Sequence, residues 1–107
     1  MKLPAALAAV APAELFEVCR TYHVQQLDLF GSAAGDGFDL ARSDLDFLVT
    51  FEDPLPDDGV STAYFGLMQA LSELYGRKVD LVTERSIVNP YLRRRIEAQR
   101  RRLFPPA

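Results

Sequence analysis

The sequence predicts a small α/β (α+β) domain in which three short strands form a core sheet flanked by helices. Two observations carry this expectation. Apolar runs of strand length occupy residues 26–31, 44–51 and 78–83, and the segments between and around them place apolar residues at helical spacing. The resulting order is helix, strand, short helix, strand, helix, strand, helix, which suits one mixed layer of strands covered by helices. At 107 residues the chain is expected to form a single domain over 1–107. Its 49% hydrophobic and 25% charged content is that of a soluble globular protein.

Residues 1–11 are expected to be a flexible or extra N-terminal segment. Their Ala-rich run and "AVA" resemble a leader peptide, but Pro4 and Pro12 interrupt it and Lys2 is the lone basic residue before the run. A cytoplasmic location is therefore expected. Pro12 suits a first helical position, and Leu15, Val18, Cys19 and Tyr22 follow at i, i+3, i+4 and i+7, which predicts a helix over 12–22. In residues 26–31, Leu27 and Leu29 alternate with Asp28 and Phe30 before Gly31 stops the strand. The second strand, 44–51, ends at a Pro- and Asp-rich loop, 52–59.

Ser61 or Thr62 is a suitable cap for the next helix. Its stripe runs through Tyr64, Leu67, Met68, Leu71, Leu74 and Tyr75, and Gly76 sits where a left-handed terminator belongs. The third strand is 78–83. Asn89 followed by Pro90 marks the start of a basic C-terminal helix, 90–104, with Leu92, Ile96 and Leu103 on one side and Arg94 and Arg101 opposite.

The net charge of −3 is unevenly placed: residues 1–84 hold 5 basic and 14 acidic residues, whereas 85–107 hold 7 basic and 1 acidic. This argues against an extensive nucleic-acid surface, which is usually basic over most of its area. It fits either a localised contact or a tail folded back on an acidic body. No run is long enough to span a membrane. The single cysteine, Cys19, excludes an internal disulfide and is expected to pack in the core.

The chemistry is concentrated at the entrance of the second strand. Residues i and i+2 of a strand face the same side, so Asp44 and Asp46 point together while Leu45 and Phe47 point the other way. Two carboxylates so placed repel, and an oxygen-preferring divalent ion such as Mg²⁺ would relieve that repulsion. Asp80, between Val79 and Leu81, is a third carboxylate in an apolar strand and would join the pair if the two strands are neighbours. Upstream, Gly31 permits close backbone approach, and Ser32 with the amides after it suits a phosphate. Each piece alone has an ordinary explanation, since the chain holds nine aspartates and Gly-Ser is a common turn. A phosphate turn followed by a three-carboxylate cluster at one end of a sheet is the equipment of phosphoryl or nucleotidyl transfer.

In this order the residues resemble a known family. "LFGSAAGDGFDLARSDLDFLV" is similar to the signature of the polymerase-β-like nucleotidyltransferase superfamily, and "GRKVDLVTERSIVNPYLRRRI" extends the likeness to the minimal nucleotidyltransferase (MNT) proteins of prokaryotes, over roughly residues 13–104. The resemblance implies a small mixed three-stranded core sheet. It also implies that Asp44, Asp46 and Asp80 are catalytic and hold two Mg²⁺ ions, with ATP as co-substrate. Gly31, Ser32, Arg42 and Ser43 would bind the nucleotide. Ser32 and Asp44 are separated by eleven residues, one more than the commonest spacing, and Ala33 and Ala34 stand where many relatives carry a basic residue, so Arg42 is expected to share the phosphate grip. The implied activity is an antitoxin's transfer of AMP to a tyrosine hydroxyl of a HEPN-type ribonuclease toxin encoded nearby.

A second class of function remains open at this point: a non-catalytic module that silences its partner by occlusion through the C-terminal helix. The other polar residues have plainer readings. His23 is a helix-end residue, Tyr64 and Tyr75 belong to the core stripe, and Arg93–Glu97 and Glu97–Arg101 are spaced as i, i+4 pairs on a solvated face.

Overall fold

Alternation along the strands divides this chain into two unequal cores. The computed structural model describes residues 4, 7–31, 44–55 and 59–106. In chain order these form α1 (Pro12–Thr21), β1 (Val24–Phe30), β2 (Leu45–Phe51), α2 (Gly59–Tyr75), β3 (Val79–Thr83), a single 3₁₀ turn (Glu84–Ser86), α3 (Pro90–Gln99) and β4 (Arg101–Phe104). The sheet order is β3-β2-β1-β4. β1 runs antiparallel to β2 and β4, while β2 and β3 are parallel and joined through α2, so the sheet is mixed. Among the described residues no helix is long and apolar enough to cross a membrane.

One face of the sheet presents Leu27, Leu29, Leu45, Phe47, Val49 and Leu81 to Leu15 and Cys19 of α1 and Leu67 and Leu71 of α2. The other face carries a smaller cluster of Leu48, Ile87 and Ile96, with Phe30 and Val82 against it. Coverage on both faces explains why β2 reads as a nearly unbroken apolar run. Gly76 ends α2 at φ +62, as its position predicts. Tyr75 stacks on Phe47 with ring centroids 6.3 Å apart, and the Tyr64 hydroxyl donates to the Leu81 carbonyl. Burial pushes the Cys19 thiol up to about 12, so it is a packing residue and not a nucleophile.

Four expectations are corrected. The sheet has four strands, not three. The C-terminal helix expected over 90–104 stops at Gln99, because Arg100 turns extended (φ −65, ψ 141) and its guanidinium reaches Asp28. Arg101–Phe104 then pair with β1, which buries Leu103 in the first core. Finally, Leu7 is fully buried and its amide bonds the Pro4 carbonyl at 2.9 Å, so the segment expected to be flexible or extra supplies a core residue. The helix over Gly59–Tyr75 also begins before Ser61, on a Gly59 of φ +75.

The Asp28–Arg100 ion pair fixes α3 to the sheet. Asp28 is only 2% exposed, on the face of the smaller cluster, and accepts from Arg100 Nε at 3.1 Å and Gln26 Nε2 at 3.1 Å. Arg100 also holds Glu97 at 2.6 Å, and Arg93 pairs with Glu84 and Glu97. Removing one member of a buried pair strands the other charge, which costs more than the pair is worth against an apolar replacement. Arg100→Ala is therefore expected to destabilise the domain by about 3 kcal/mol in urea unfolding, whereas Arg94→Ala, at an exposed position, should change stability by less than about 0.5 kcal/mol.

Candidate active site

The site is built from the register between β2 and β3. Leu45 lies beside Val79 and Asp46 beside Asp80. Adjacent strands are about 4.8 Å apart, and partners in register project from the same face, so these two carboxyl groups meet. Leu45 and Phe47, on either side of Asp46, are fully buried on the opposite face and fix the direction in which Asp46 points. Asp44 immediately precedes β2 and lies on the Asp46 face by the same alternation. Asp80 is exposed and Asp46 half-buried, so the cluster opens to solvent.

The electrostatics follow from this crowding. The Asp46 carboxyl is pushed up to about 6, first by burial, then by the charge of Asp80 and a hydrogen bond with it, and last by the charge of Asp44. Asp44 has a cationic neighbour: its Oδ2 lies 3.8 Å from the Lys78 ammonium, with the Asp44 side chain 40% exposed and that of Lys78 75% exposed. Among the described residues no three acidic, His or Cys side chains form a ready-made metal cage. The donors are nevertheless all oxygens, partly open to water and mutually repelling. That set fits a hard divalent ion completed by water and substrate phosphate.

β1 brings the backbone to this cluster. Phe30 lies opposite Asp46, and the next residue, Gly31, turns to φ +72. A Cβ at Gly31 would lie 2.4 Å from Asp46 Oδ2, so any larger residue would collide with the carboxylate. Of the residues expected in the site, the structure thus brings together Gly31, Asp46 and Asp80, with Asp44 beside them and leaning to Lys78. Ser32, Arg42 and Ser43 lie outside the described residues, as does the short helix expected after Gly31.

Sequence reading missed Lys78. The signal was present: it stands two residues before Asp80, so strand alternation puts both on one face. A cavity of about 410 Å³ lined by Gln25, Thr50, Glu52, Thr83, Glu84 and Arg85 holds none of the expected site residues.

Comparison with known proteins gives a consistent result. A family profile described as the nucleotidyltransferase domain matches residues 13–103. Two proteins of Methanocaldococcus jannaschii, each carrying the name of a protein adenylyltransferase, are 40% identical over 77 residues and 41% identical over 76. Each alignment covers 71% of this chain, and 73% and 72% of the respective relative. A solved structure described as a minimal nucleotidyltransferase superposes with a TM-score of 0.67 at 30% identity, covering 84% of this chain and 86% of that one. A toxin–antitoxin structure with AMP-PNP gives 0.65 at 26% identity, covering 89% of this chain and 73% of that one. A tri-AMPylated HEPN toxin from Shewanella oneidensis in complex with its MNT antitoxin gives 0.57 at 25% identity, covering 87% and 68%.

Two predictions follow from the geometry. A carboxyl whose folded pKa is raised from 3.8 to about 6 contributes stability below pH 4 that is lost as pH rises through 6. In EDTA, Asp46→Asn should therefore melt higher than wild type at pH 7.5, with the gap closing by pH 4.5; a gap independent of pH contradicts the assignment. Gly31→Ala should lose about 1–2 kcal/mol from its left-handed backbone and also displace Asp46, so that its loss of nucleotide transfer exceeds what its melting curve explains.

Proposed function

Because the chain belongs to the nucleotidyltransferase domain family, we propose that it is a Mg²⁺-dependent protein adenylyltransferase that moves AMP from ATP to a tyrosine hydroxyl of a HEPN-type ribonuclease toxin, and so serves as that toxin's antitoxin. The observation that carries the reading is the pairing of Asp46 with Asp80 across parallel strands, with Asp44 on the same face and the Gly31 backbone against Asp46. A cluster of oxygen donors beside a tight glycine turn is suited to a metal-bound polyphosphate. The names of the relatives and of the toxin–antitoxin neighbours support protein as acceptor class, and the AMP-PNP in one of them supports an adenine nucleotide.

In this reaction the acceptor oxygen attacks the α-phosphorus in line. A new P–O bond forms as the bond to the β-phosphate oxygen breaks, and pyrophosphate leaves. Asp44 and Asp46 would hold Mg²⁺, which when bound neutralises charge on the phosphates and on the attacking oxygen. Asp80, which is exposed where Asp44 and Asp46 are half-buried, would orient the acceptor hydroxyl and take its proton. The Gly31 amide region, with Ser32, Arg42 and Ser43, would steady the triphosphate. The rigidity of β2 matters here, because Leu45 and Phe47 hold Asp46 to a single direction.

The test is to incubate the chain with Mg²⁺-ATP and the product of its neighbouring gene, then weigh both proteins by mass spectrometry. An adenylyl adduct on the partner, mapped to tyrosine, lost in EDTA and reduced about 100-fold or more by Asp46→Asn or Asp80→Asn, is the expected result. A stable complex without any adduct would replace this reading with occlusion.

A further inference from the structure

Lys78 is the one cation that the described ion pairs place against the candidate site. Leu45 donates its amide to the Lys78 carbonyl at 3.1 Å, which sets Lys78 beside Asp44 in the register that sets Asp46 beside Asp80. By strand alternation the four side chains therefore share one sheet face, with three carboxylates and one ammonium. The ammonium is tethered only loosely: it stands 3.8 Å from Asp44 Oδ2 with the Lys78 side chain 75% exposed, a separation at which surface pairs contribute little. Arg100, by contrast, is only 21% exposed and is committed to Asp28 and Glu97.

A nucleoside triphosphate arriving at this face needs cationic partners for its phosphate tail, and Ala33 and Ala34, which follow Gly31-Ser32 in sequence, supply none. Lysine suits that task, as a compact charge on a flexible stem that can change partner without moving the backbone. We propose that Lys78 is a phosphate-positioning residue: it neutralises Asp44 in the free protein, yields Asp44 to the metal, and transfers its ammonium to the β- or γ-phosphate of the bound nucleotide. The inference rests on the nucleotidyltransferase reading of the site and adds the residue that grips the tail.

Three measurements on the full chain test it. Calorimetric titration with Mg²⁺-ATP and with AMP should show Lys78→Met weakening ATP about tenfold and AMP less than twofold, with Lys78→Arg recovering most of the loss. Arg85→Met, the same charge change in the 3₁₀ turn that follows β3, should leave both affinities as in wild type. With Mn²⁺ alone and no nucleotide, Lys78→Met should bind the metal more tightly than wild type, because the resident cation no longer competes; a merely structural lysine would not produce that gain. Equal loss of ATP and AMP, or an unchanged ATP to AMP ratio, overturns the role of Lys78 while leaving the nucleotidyltransferase reading in place. Failure of the wild-type chain to bind Mg²⁺-ATP overturns both.

Discussion

Everything at the site depends on one constraint, the in-register parallel pairing of β2 with β3. Parallel strands cannot be joined by a tight turn, so α2 must cross between them, and its buried face then becomes the lid of the larger core. That crossover sets Asp46 level with Asp80. Had β3 slipped by one residue, Asp80 would point into Leu67 and Leu71 and Val79 would face the water. Burial of Val79 and Leu81 excludes the slip, since the side-chain period of two moves every residue of the strand together. The apolar residues of β3 thus specify the position of its single carboxylate.

The same sheet face carries charge in two ways that physical chemistry treats differently. At one place Asp28 is deeply buried and satisfied by Arg100 and Gln26, so its charge is compensated within the protein. At the other, Asp46 is half-buried, faces two further carboxylates and is pushed up to about 6. The first arrangement docks α3 onto the sheet. The second is unfavourable while all three carboxylates are ionised. A domain of this size has little stability to spare, and it keeps the uncompensated cluster at an open strand end where water limits the penalty.

Much of this was legible in the sequence because it depends on local period and punctuation. The alternation of Leu45 and Phe47 with Asp46 gave the direction of the carboxylate, and Pro12, Gly76 and Asn89-Pro90 marked helix ends that the structure keeps. The passage from α3 to β4 was not legible. Leu92, Ile96 and Leu103 keep a helical spacing, and no glycine or proline separates Gln99 from Arg101. What ends the helix is a contact across 72 positions of sequence, between Arg100 and Asp28, and tertiary contacts of that range override propensity without leaving a local mark. Leu7 escaped for a related reason: in an Ala-rich stretch bounded by Pro4 and Pro12 nothing local sets it apart from Leu3 or Val10, and only the core that receives it shows its role. Lys78 was visible by alternation but lay outside the acidic pattern that drew attention to β3.

The charge asymmetry of the chain is now resolved in part. Of the two readings, a tail folded back on an acidic body holds for Arg93 and Arg100, which pair with Glu84, Glu97 and Asp28. Those two arginines therefore belong to the fold and contribute little to any external field. Arg85, Arg94, Arg95 and Arg102 are exposed, and Val88, Tyr91 and Leu92 beside them are the most concentrated group of exposed large apolar residues in the described chain. The basic segment is thus divided by burial into an inner set that orders α3 and an outer set that gives the surface its sign. The acidic cluster at the β2–β3 end and a basic α3 surface are then separate features of one small domain, and the Asp28–Arg100 pair is the joint that holds them in fixed relation.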